Sequence, residues 1–248
     1  MEACIENNSH RRFRSAASAA VLAALAASLS TPALSTDIED VTSAPVRERA
    51  FTIHPRTYFL DRKLPGSVEN EAWAGGGWLA YDSGWFSNLL RIGLVGYTSQ
   101  PIWAPDNKDG TLLLEPGQHG YSVLGQAYGS LKLLDQVFTG YRQSVDQPEV
   151  NPQDNRMTPN TFEGYTLAGK VYEIDYFGGY LDKMKTRNAD TFRNFATVAG
   201  APPGVEEAMW LGGLSFSPTK DVTLRLSNYH VPNILTSTYS DASWLATL

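Results

Sequence analysis

The sequence predicts an all-β protein, folded as an antiparallel transmembrane β-barrel. Three observations carry this prediction. Strand-like segments of about ten residues follow one another, short turns and long loops alternate between them, and aromatic residues lie near the segment ends. Beyond the N-terminal region no apolar run reaches the roughly 18 residues that a membrane helix needs, which excludes a helical membrane protein.

Ten strands are predicted, with boundaries good to a few residues. They lie near 50–60, 71–82, 88–98, 121–133, 136–143, 161–170, 173–181, 208–217, 221–230 and 237–246. In the ninth, Val222 and Leu224 alternate with Thr223 and Arg225, and a period of two places each set on its own face of a sheet. Alternation alone does not distinguish a barrel with a polar lumen from a sheet whose polar face meets bulk water.

The connections carry more information than the strands. Those near 82–87, 134–135, 170–173 and 217–221 are short, and those at 99–120, 144–160 and 182–207 are long. Outer-membrane barrels have short periplasmic turns and long external loops. We therefore expect the long connections outside the cell and the short ones in the periplasm.

Aromatic residues lie at or near the predicted strand ends. They are Trp73, Trp78, Trp85, Phe86, Trp210, Phe216, Tyr229, Tyr239 and Trp244. Aromatic girdles form where acyl chains meet lipid headgroups, so the set favours a membrane barrel. For any single aromatic residue, packing in a core is the alternative.

The N-terminus has the pattern of a cleavable secretory signal peptide. Arg11, Arg12 and Arg14 precede an apolar run at 15–29, and small residues at 33–35 form a cleavage site. We expect a signal peptide at 1–35, a tail at 36–49 and the barrel at 50–248. Cys4 would leave with the signal, so disulfides, zinc–cysteine sites and cysteine nucleophiles are excluded from the mature chain.

Composition and motifs argue against several other functions. The formal charge of −6 disfavours a nucleic-acid partner. No catalytic signature surrounds the Ser, Asp and His residues, and the histidines lack ligand-like spacing, so we expect no enzyme, no cofactor and no metal. The segment 106–110 is interpreted as an external turn rather than a calcium loop. The rival to a channel is a secreted, soluble β-sandwich or barrel domain that binds a ligand or a partner.

Four motifs then make the prediction specific. After Gly140-Tyr141-Arg142-Gln143 the chain enters NPQDNRMTPNTFEGY at 151–165, which resembles the third external loop and following strand of the OprD porin family. Segments 55–59, 121–127 and 178–185 resemble the first, fourth and seventh strands of that family. The agreement covers roughly residues 50 to 248 in the right order and spacing.

The resemblance implies an 18-stranded, substrate-specific channel in the outer membrane of a Gram-negative bacterium, and raises a homotrimer as the assembly to test. In this family the third loop folds inward to narrow the pore, and a ladder of basic residues draws carboxylate-bearing solutes through. Guanidinium groups make fork-shaped, charge-assisted contacts with carboxylates and stay protonated. Several weak sites along a wall let a solute bind and still leave.

Carried over by position, the resemblance places Asn155, Arg156, Thr158 and Asn160 at the constriction. It also implies pore roles for Arg56 in the first strand, Arg142 where the fifth strand enters the loop, and Arg91 and Arg225 on polar strand faces. For each arginine the alternative is a pair with a nearby carboxylate. Asp154 is the expected partner of Arg156, and Lys183, Lys185, Arg187 and Arg193 are expected to be solvated.

One departure from the family concerns strand number. The family has 18 strands, whereas this sequence supplies about ten. It ends at Ser243-Trp244-Leu245-Ala246-Thr247-Leu248, without the terminal aromatic residue, usually Phe, of a complete outer-membrane barrel. We therefore expect the chain to be part of a longer barrel.

Overall fold

A computed structural model describes residues 49–63, 65–66 and 69–245. The predicted signal peptide at 1–35 and almost all of the tail at 36–49 lie outside these residues. The strands are β1 Ala50–Arg62, β2 Asn70–Asp82, β3 Leu90–Trp103, β4 Tyr121–Leu133, β5 Gln136–Gln143, β6 Thr161–Val171, β7 Ile174–Lys185, β8 Arg193–Asn194, β9 Met209–Thr219, β10 Val222–Val231 and β11 Leu235–Trp244. A 3-10 turn, Asp106–Lys108, and a short helix α1, Phe195–Val198, lie in loops. No described helix is long and apolar enough to cross a membrane.

All strands belong to one antiparallel sheet in which sequence neighbours pair. The order is β1-β2-β3-β4-β5-β6-β7-β9-β10-β11, and β8 pairs with the end of β7. The ten predicted strands and the all-β class are confirmed, and the two-residue β8 is additional. Over the described residues, β1 and β11 each pair on one side only, so the sheet is open.

The two faces of the sheet differ in chemistry. In β1 the side chains of Phe51, Ile53 and Phe59 are exposed, Ile53 by 70%, whereas the alternate residues are half-buried. The same outer face carries exposed apolar side chains along the other strands, including Leu79, Tyr81, Leu94, Leu124, Leu131, Phe138, Tyr165, Leu167, Leu214, Phe216, Leu224 and Leu226. A soluble protein rarely exposes an apolar surface this extensive. An outer face of this kind is suited to lipid, as in a membrane barrel.

The inner face is polar and aromatic. Arg56 lies over the ring of Trp78, Trp78 contacts Tyr97, and the hydroxyl of Tyr97 accepts a hydrogen bond from Gln126 at 2.7 Å. These contacts place the alternate residues of β1 to β4 on one connected surface, which we call the inner face.

Bulges interrupt the register of four strand pairs, and two of them shape the inner face. Gly125 in β4 is the extra residue opposite Val95 and Gly96, and Asp182 in β7 is the extra residue opposite Glu163 and Gly164. A Cβ at Gly125 would lie 2.2 Å from the ring of Tyr97. Glycine at this position therefore leaves room for the aromatic ring. Bulges also raise local twist, which curves a sheet.

Long and short connections separate to opposite ends of the sheet. Those at 83–89, 134–135, 172–173 and 220–221 lie at one end, and those at 63–69, 104–120, 144–160, 186–208 and 232–234 lie at the other. The predicted long–short parity holds for 104–120, 144–160 and 186–208 against 134–135, 172–173 and 220–221. The connections 63–69 and 83–89 are equal in length, and 232–234 is a short connection at the long-loop end. Which end faces out of the cell stays a prediction.

Candidate pore constriction

The connection at 144–160, here called the inner loop, packs against the inner face instead of projecting from the sheet end. Its first part contributes Val145 and Val150, which are 1% and 3% exposed, to an apolar cluster that includes Phe162, Leu181 and Tyr229. Its last part contributes Met157, which is fully buried with Ala72, Ala74, Leu113 and Leu114. The inner loop therefore reaches from β10 to β2 across the face, as the family resemblance implied.

The tip of the inner loop is held by an ion pair with the first strand. Nη1 and Nη2 of Arg56 donate to Oδ1 and Oδ2 of Asp154 at 2.6 and 3.0 Å. The expectation that Asp154 pairs with Arg156 is therefore wrong. The inner loop turns the Arg156 side chain toward another loop, where Nε donates to the carbonyl of Thr111 at 3.0 Å.

Arg156 and Arg187 converge on Asn155. Nη1 of Arg156 donates to the backbone carbonyl of Asn155 at 2.7 Å, and Nη1 of Arg187 donates to its side-chain Oδ1 at 2.6 Å. Burial, and then the positive charge of Arg156, lower the pKa of the Arg187 guanidinium from its ordinary value. An arginine nevertheless stays protonated at neutral pH, so two like charges persist here. Among the described residues neither guanidinium forms an ion pair.

A buried lysine lies behind this pair. Nζ of Lys185 donates to Oγ1 of Thr158 at 3.2 Å and to the carbonyl of Thr186 at 3.0 Å, and it faces the rings of Tyr97 and Tyr121 at 5.5 and 6.0 Å. Its side chain is fully buried and has no ion pair within the described chain. The expectation that Lys185 is solvated is wrong, because Lys185 ends β7 beneath the inner loop. Arg187 is partly exposed and contacts Asn155.

Thr158 and Asn160 are interior parts of the inner loop. Thr158 is fully buried, exchanges a 2.8 Å hydrogen bond with the hydroxyl of Tyr121 and donates to the carbonyl of Arg187 at 3.1 Å. Asn160 is 4% exposed, and its Nδ2 donates to the carbonyl of Asn151 at 3.3 Å. Both hold the loop in place, and a direct pore role for them stays a prediction.

The other predicted arginines each have a carboxylate partner. Arg91 pairs with Asp82, Arg142 with Glu163 at 3.0 Å, and Arg225 with Asp241 at 4.0 Å. Arg142 also lies 4.2 Å from the ring centroid of Phe192. The contacts of these three arginines therefore agree with the alternative interpretation, in which each pairs with a nearby carboxylate. Their place in a basic ladder stays a prediction.

Arginines outnumber carboxylates in the contacts at the tip of the inner loop. Arg56, Arg156 and Arg187 have one carboxylate among their contacts, Asp154, which pairs with Arg56 and leaves Arg156 and Arg187 bound to neutral oxygens. The inner loop also contains Asp146 and Glu149, so the excess of arginine belongs to these contacts and not to the whole loop.

A cluster of carboxylates lies at the long-loop end of the sheet. Oxygens of Asp61, Glu69 and Glu71 lie within 4.8 Å of one another. The ammonium of Lys108 donates to Glu69 at 2.7 Å and also to Glu71. The hydrogen bond from Lys108 lowers the pKa of Glu69, and the two carboxylates raise the pKa of Lys108. The protein thus supplies its own cation to this cluster, and no metal is expected there.

An open meander with an apolar outer face, and with a long loop folded onto its inner face, has the features of a porin, a channel-forming β-barrel. A family model described as "outer membrane porin, OprD family" matches residues 46–248 of the chain. Since this match covers most of the chain, the protein belongs to the OprD family. The resemblance seen in the sequence is thereby confirmed.

Solved structures agree with this fold. The chain is similar to Pseudomonas aeruginosa OccK9 (OpdG), with TM-score 0.71 and 19% identity over 82% of this chain and 55% of that one. It is similar to a BenF-like porin from Pseudomonas fluorescens Pf-5, with TM-score 0.69 and 16% identity over 81% and 54%. It is also similar to Acinetobacter baumannii OccAB4, with TM-score 0.68 and 14% identity over 82% of this chain and 56% of that one. The chain thus spans about half the length of these structures. No curated protein matches.

Proposed function

We propose that this protein is a passive outer-membrane channel that selects small carboxylate-bearing solutes, such as amino acids or small organic acids. The observation that carries the proposal is the pair of guanidinium groups, Arg156 and Arg187, which meet at Asn155 without a carboxylate partner in the described chain. The exposed apolar outer face favours this reading over a secreted, soluble β-domain.

A solute carboxylate fits this pair for electrostatic reasons. It would accept hydrogen bonds from both guanidinium groups and offset their mutual repulsion. Both arginines already donate to neutral oxygens of the chain, so their orientation is fixed before a solute arrives. The two guanidinium groups would contact a solute through their remaining N–H groups without enclosing it. This arrangement suits a site that must release its solute.

Lys185 contributes to this site through its field and not through contact. Its ammonium is covered by Thr158 and by two tyrosine rings, so a solute in the passage does not reach it. Coulomb attraction is stronger where water is excluded, so a buried charge is poorly screened. We infer that Lys185, when protonated, raises the local anion concentration while the two arginines make the contacts.

The test is a comparison of single variants in the complete barrel into which these strands assemble. Arg156→Gln and Arg187→Gln each remove one contact charge, and Lys170→Gln, near the opposite sheet end, removes one charge as a matched control. Reversal potentials in a KCl gradient and uptake of a small carboxylate against a neutral sugar of similar size are measured. We expect both arginine variants, and not the control, to lower anion preference and carboxylate uptake. Equal loss for both solutes would refute selection by charge.

The maturation and assembly of the protein are separate proposals. We infer secretion through a signal peptide at 1–35, from the basic and apolar pattern of the N-terminus. N-terminal sequencing of the outer-membrane protein tests it, and a mature chain that begins far from residue 36 would contradict it. The homotrimer is tested by electrophoresis without boiling, where a band of monomer mass alone would count against it.

A further inference from the structure

Arg56 joins the first strand to the tip of the inner loop. Besides its two bonds to Asp154, Nη1 donates to the backbone carbonyl of Arg156. Arg56 and Asp154 are 98 residues apart in the sequence. A two-pronged guanidinium–carboxylate contact fixes orientation as well as distance. The loop tip is thereby held in one position relative to β1.

The strand side of this contact is ordered by aromatic rings. The guanidinium carbon of Arg56 lies 4.6 Å from the ring centroid of Trp78, and the Trp78 ring stacks on His54 at 3.9 Å with an angle of 4°. His54 and Trp78 are also direct partners in the β1–β2 register. The arginine is thus held over a rigid surface, with its fork directed toward the loop.

We propose that Arg56 is a positioning residue, and that the Arg56–Asp154 pair is a latch that fixes the loop tip and, through the carbonyl of Arg156, the carboxylate-binding guanidinium beyond it. The residues that follow are anchored differently, Met157 by apolar burial and Thr158 by Tyr121. The latch is the polar anchor at the partly exposed end, with side-chain exposures of 20% and 39%.

This assignment changes the part that Arg56 plays in selectivity. Its charge is compensated by Asp154, so the pair adds no net charge to the inner face. Arg56 therefore differs from Arg156 and Arg187, which form no ion pair with a carboxylate among the described residues. Loss of either latch residue has the same mechanical effect and opposite electrical effects, which allows the two roles to be separated.

The experiment places a nitroxide on Gln153→Cys, an exposed tip residue next to Asp154, in the complete barrel. The latch variants are Arg56→Gln, Asp154→Asn and the exchange Arg56→Asp with Asp154→Arg. Arg62→Gln is the matched control, because Arg62 lies on the same face of β1 and contacts Asn70 and Gly110, outside the inner loop. Nitroxide mobility and the reversal potential are recorded for each.

Both single latch variants are expected to raise the mobile fraction of the nitroxide by at least about tenfold, the ratio expected when one charge-assisted hydrogen bond is lost. Arg56→Gln is expected to have the larger effect, because Arg56 makes three bonds to the loop tip. The exchange restores low mobility, and the control leaves it unchanged. The reversal potential shifts toward cations for Arg56→Gln and toward anions for Asp154→Asn. Unchanged mobility in the single variants, or failure of the exchange to restore it, would overturn the latch.

The latch rests on the proposed function only in its selectivity readout. If Arg156→Gln leaves anion preference unchanged while the latch variants free the nitroxide, the proposed function fails and the latch stands. If the latch variants move only the reversal potential, Arg56 acts by charge alone and the latch fails while the proposed function stands.

Discussion

Replacing Lys185 with methionine removes a buried amine, which carries a charge only when protonated, and keeps a flexible side chain of similar length. The ammonium gains two charge-assisted hydrogen bonds, worth about 1.5–3 kcal/mol each. The two ring contacts lie near the roughly 6 Å limit of cation–π attraction and add less than about 1 kcal/mol each. Against this stands the desolvation of a fully buried ion, which costs several kcal/mol.

These opposing terms nearly cancel, so Lys185→Met is expected to change the free energy of unfolding by less than about 1.5 kcal/mol. Thr158 keeps its bonds to Tyr121 and to the carbonyl of Arg187 in the variant, so only the Thr186 carbonyl loses its partner. The charge of the protonated amine is nevertheless lost, and anion preference should fall. The predicted signature is therefore altered selectivity at nearly unchanged stability.

Denaturant unfolding of the complete barrel in lipid vesicles, followed by tryptophan fluorescence, measures the stability, and the reversal potential measures the selectivity. Leu181→Ala is the positive control for destabilisation, because Leu181 is fully buried in the same strand and its truncation should cost about 2–5 kcal/mol. If Lys185→Met destabilises as strongly as Leu181→Ala and leaves the reversal potential unchanged, the lysine is structural and the reasoning is refuted.

Three further predictions concern topology, the carboxylate cluster and the isolated segment. Single cysteines at Asp190 and Asp135 should label from outside the cell at the first position only; external labelling at Asp135 would reverse the topology. Because Lys108 lowers the pKa of Glu69, their contact contributes above the ordinary carboxylate pKa and is lost as pH falls through the lowered value. Hydrogen exchange in 104–120, corrected for its intrinsic rate, should thus accelerate only in acid, and acceleration at neutral pH would contradict the pairing. Residues 36–248 refolded alone should give no stable unitary conductance in bilayers, because β1 and β11 leave backbone groups unpaired in lipid; stable conductance would show that these strands close by themselves.

The strands and their connections could be predicted because local patterns specify them. A period of two and short turns fix the pairing of sequence neighbours, and every long pairing here joins such neighbours except β7–β9, which passes over the two-residue β8. The end of β7 was predicted near 181, whereas the strand runs to Lys185. The bulge at Asp182 breaks the alternation at that point, so the last four residues no longer show a strand pattern.

The contacts of the inner loop could not be predicted in the same way. An irregular loop has no fixed period, so the nearness of Asp154 to Arg156 in sequence does not tell which side chains meet. The family resemblance located the loop, and the partner of Asp154 came from the first strand, 98 residues away. Arg187 could have been suspected, since it follows within two residues of the motif at 178–185.

The length of chain between Arg56 and Asp154 also bears on the order of folding. Closing a flexible loop of 98 residues costs about 4 kcal/mol plus a constant, by the logarithmic dependence on length. A partly exposed pair contributes less than that, so it does not form while the intervening strands are unfolded. Once β2 to β5 have paired in succession, the two ends are already close, and bringing them together costs little further conformational entropy. The inner loop is thus a late-docking element, and an assembly intermediate should contain a paired sheet with an open, unobstructed inner face.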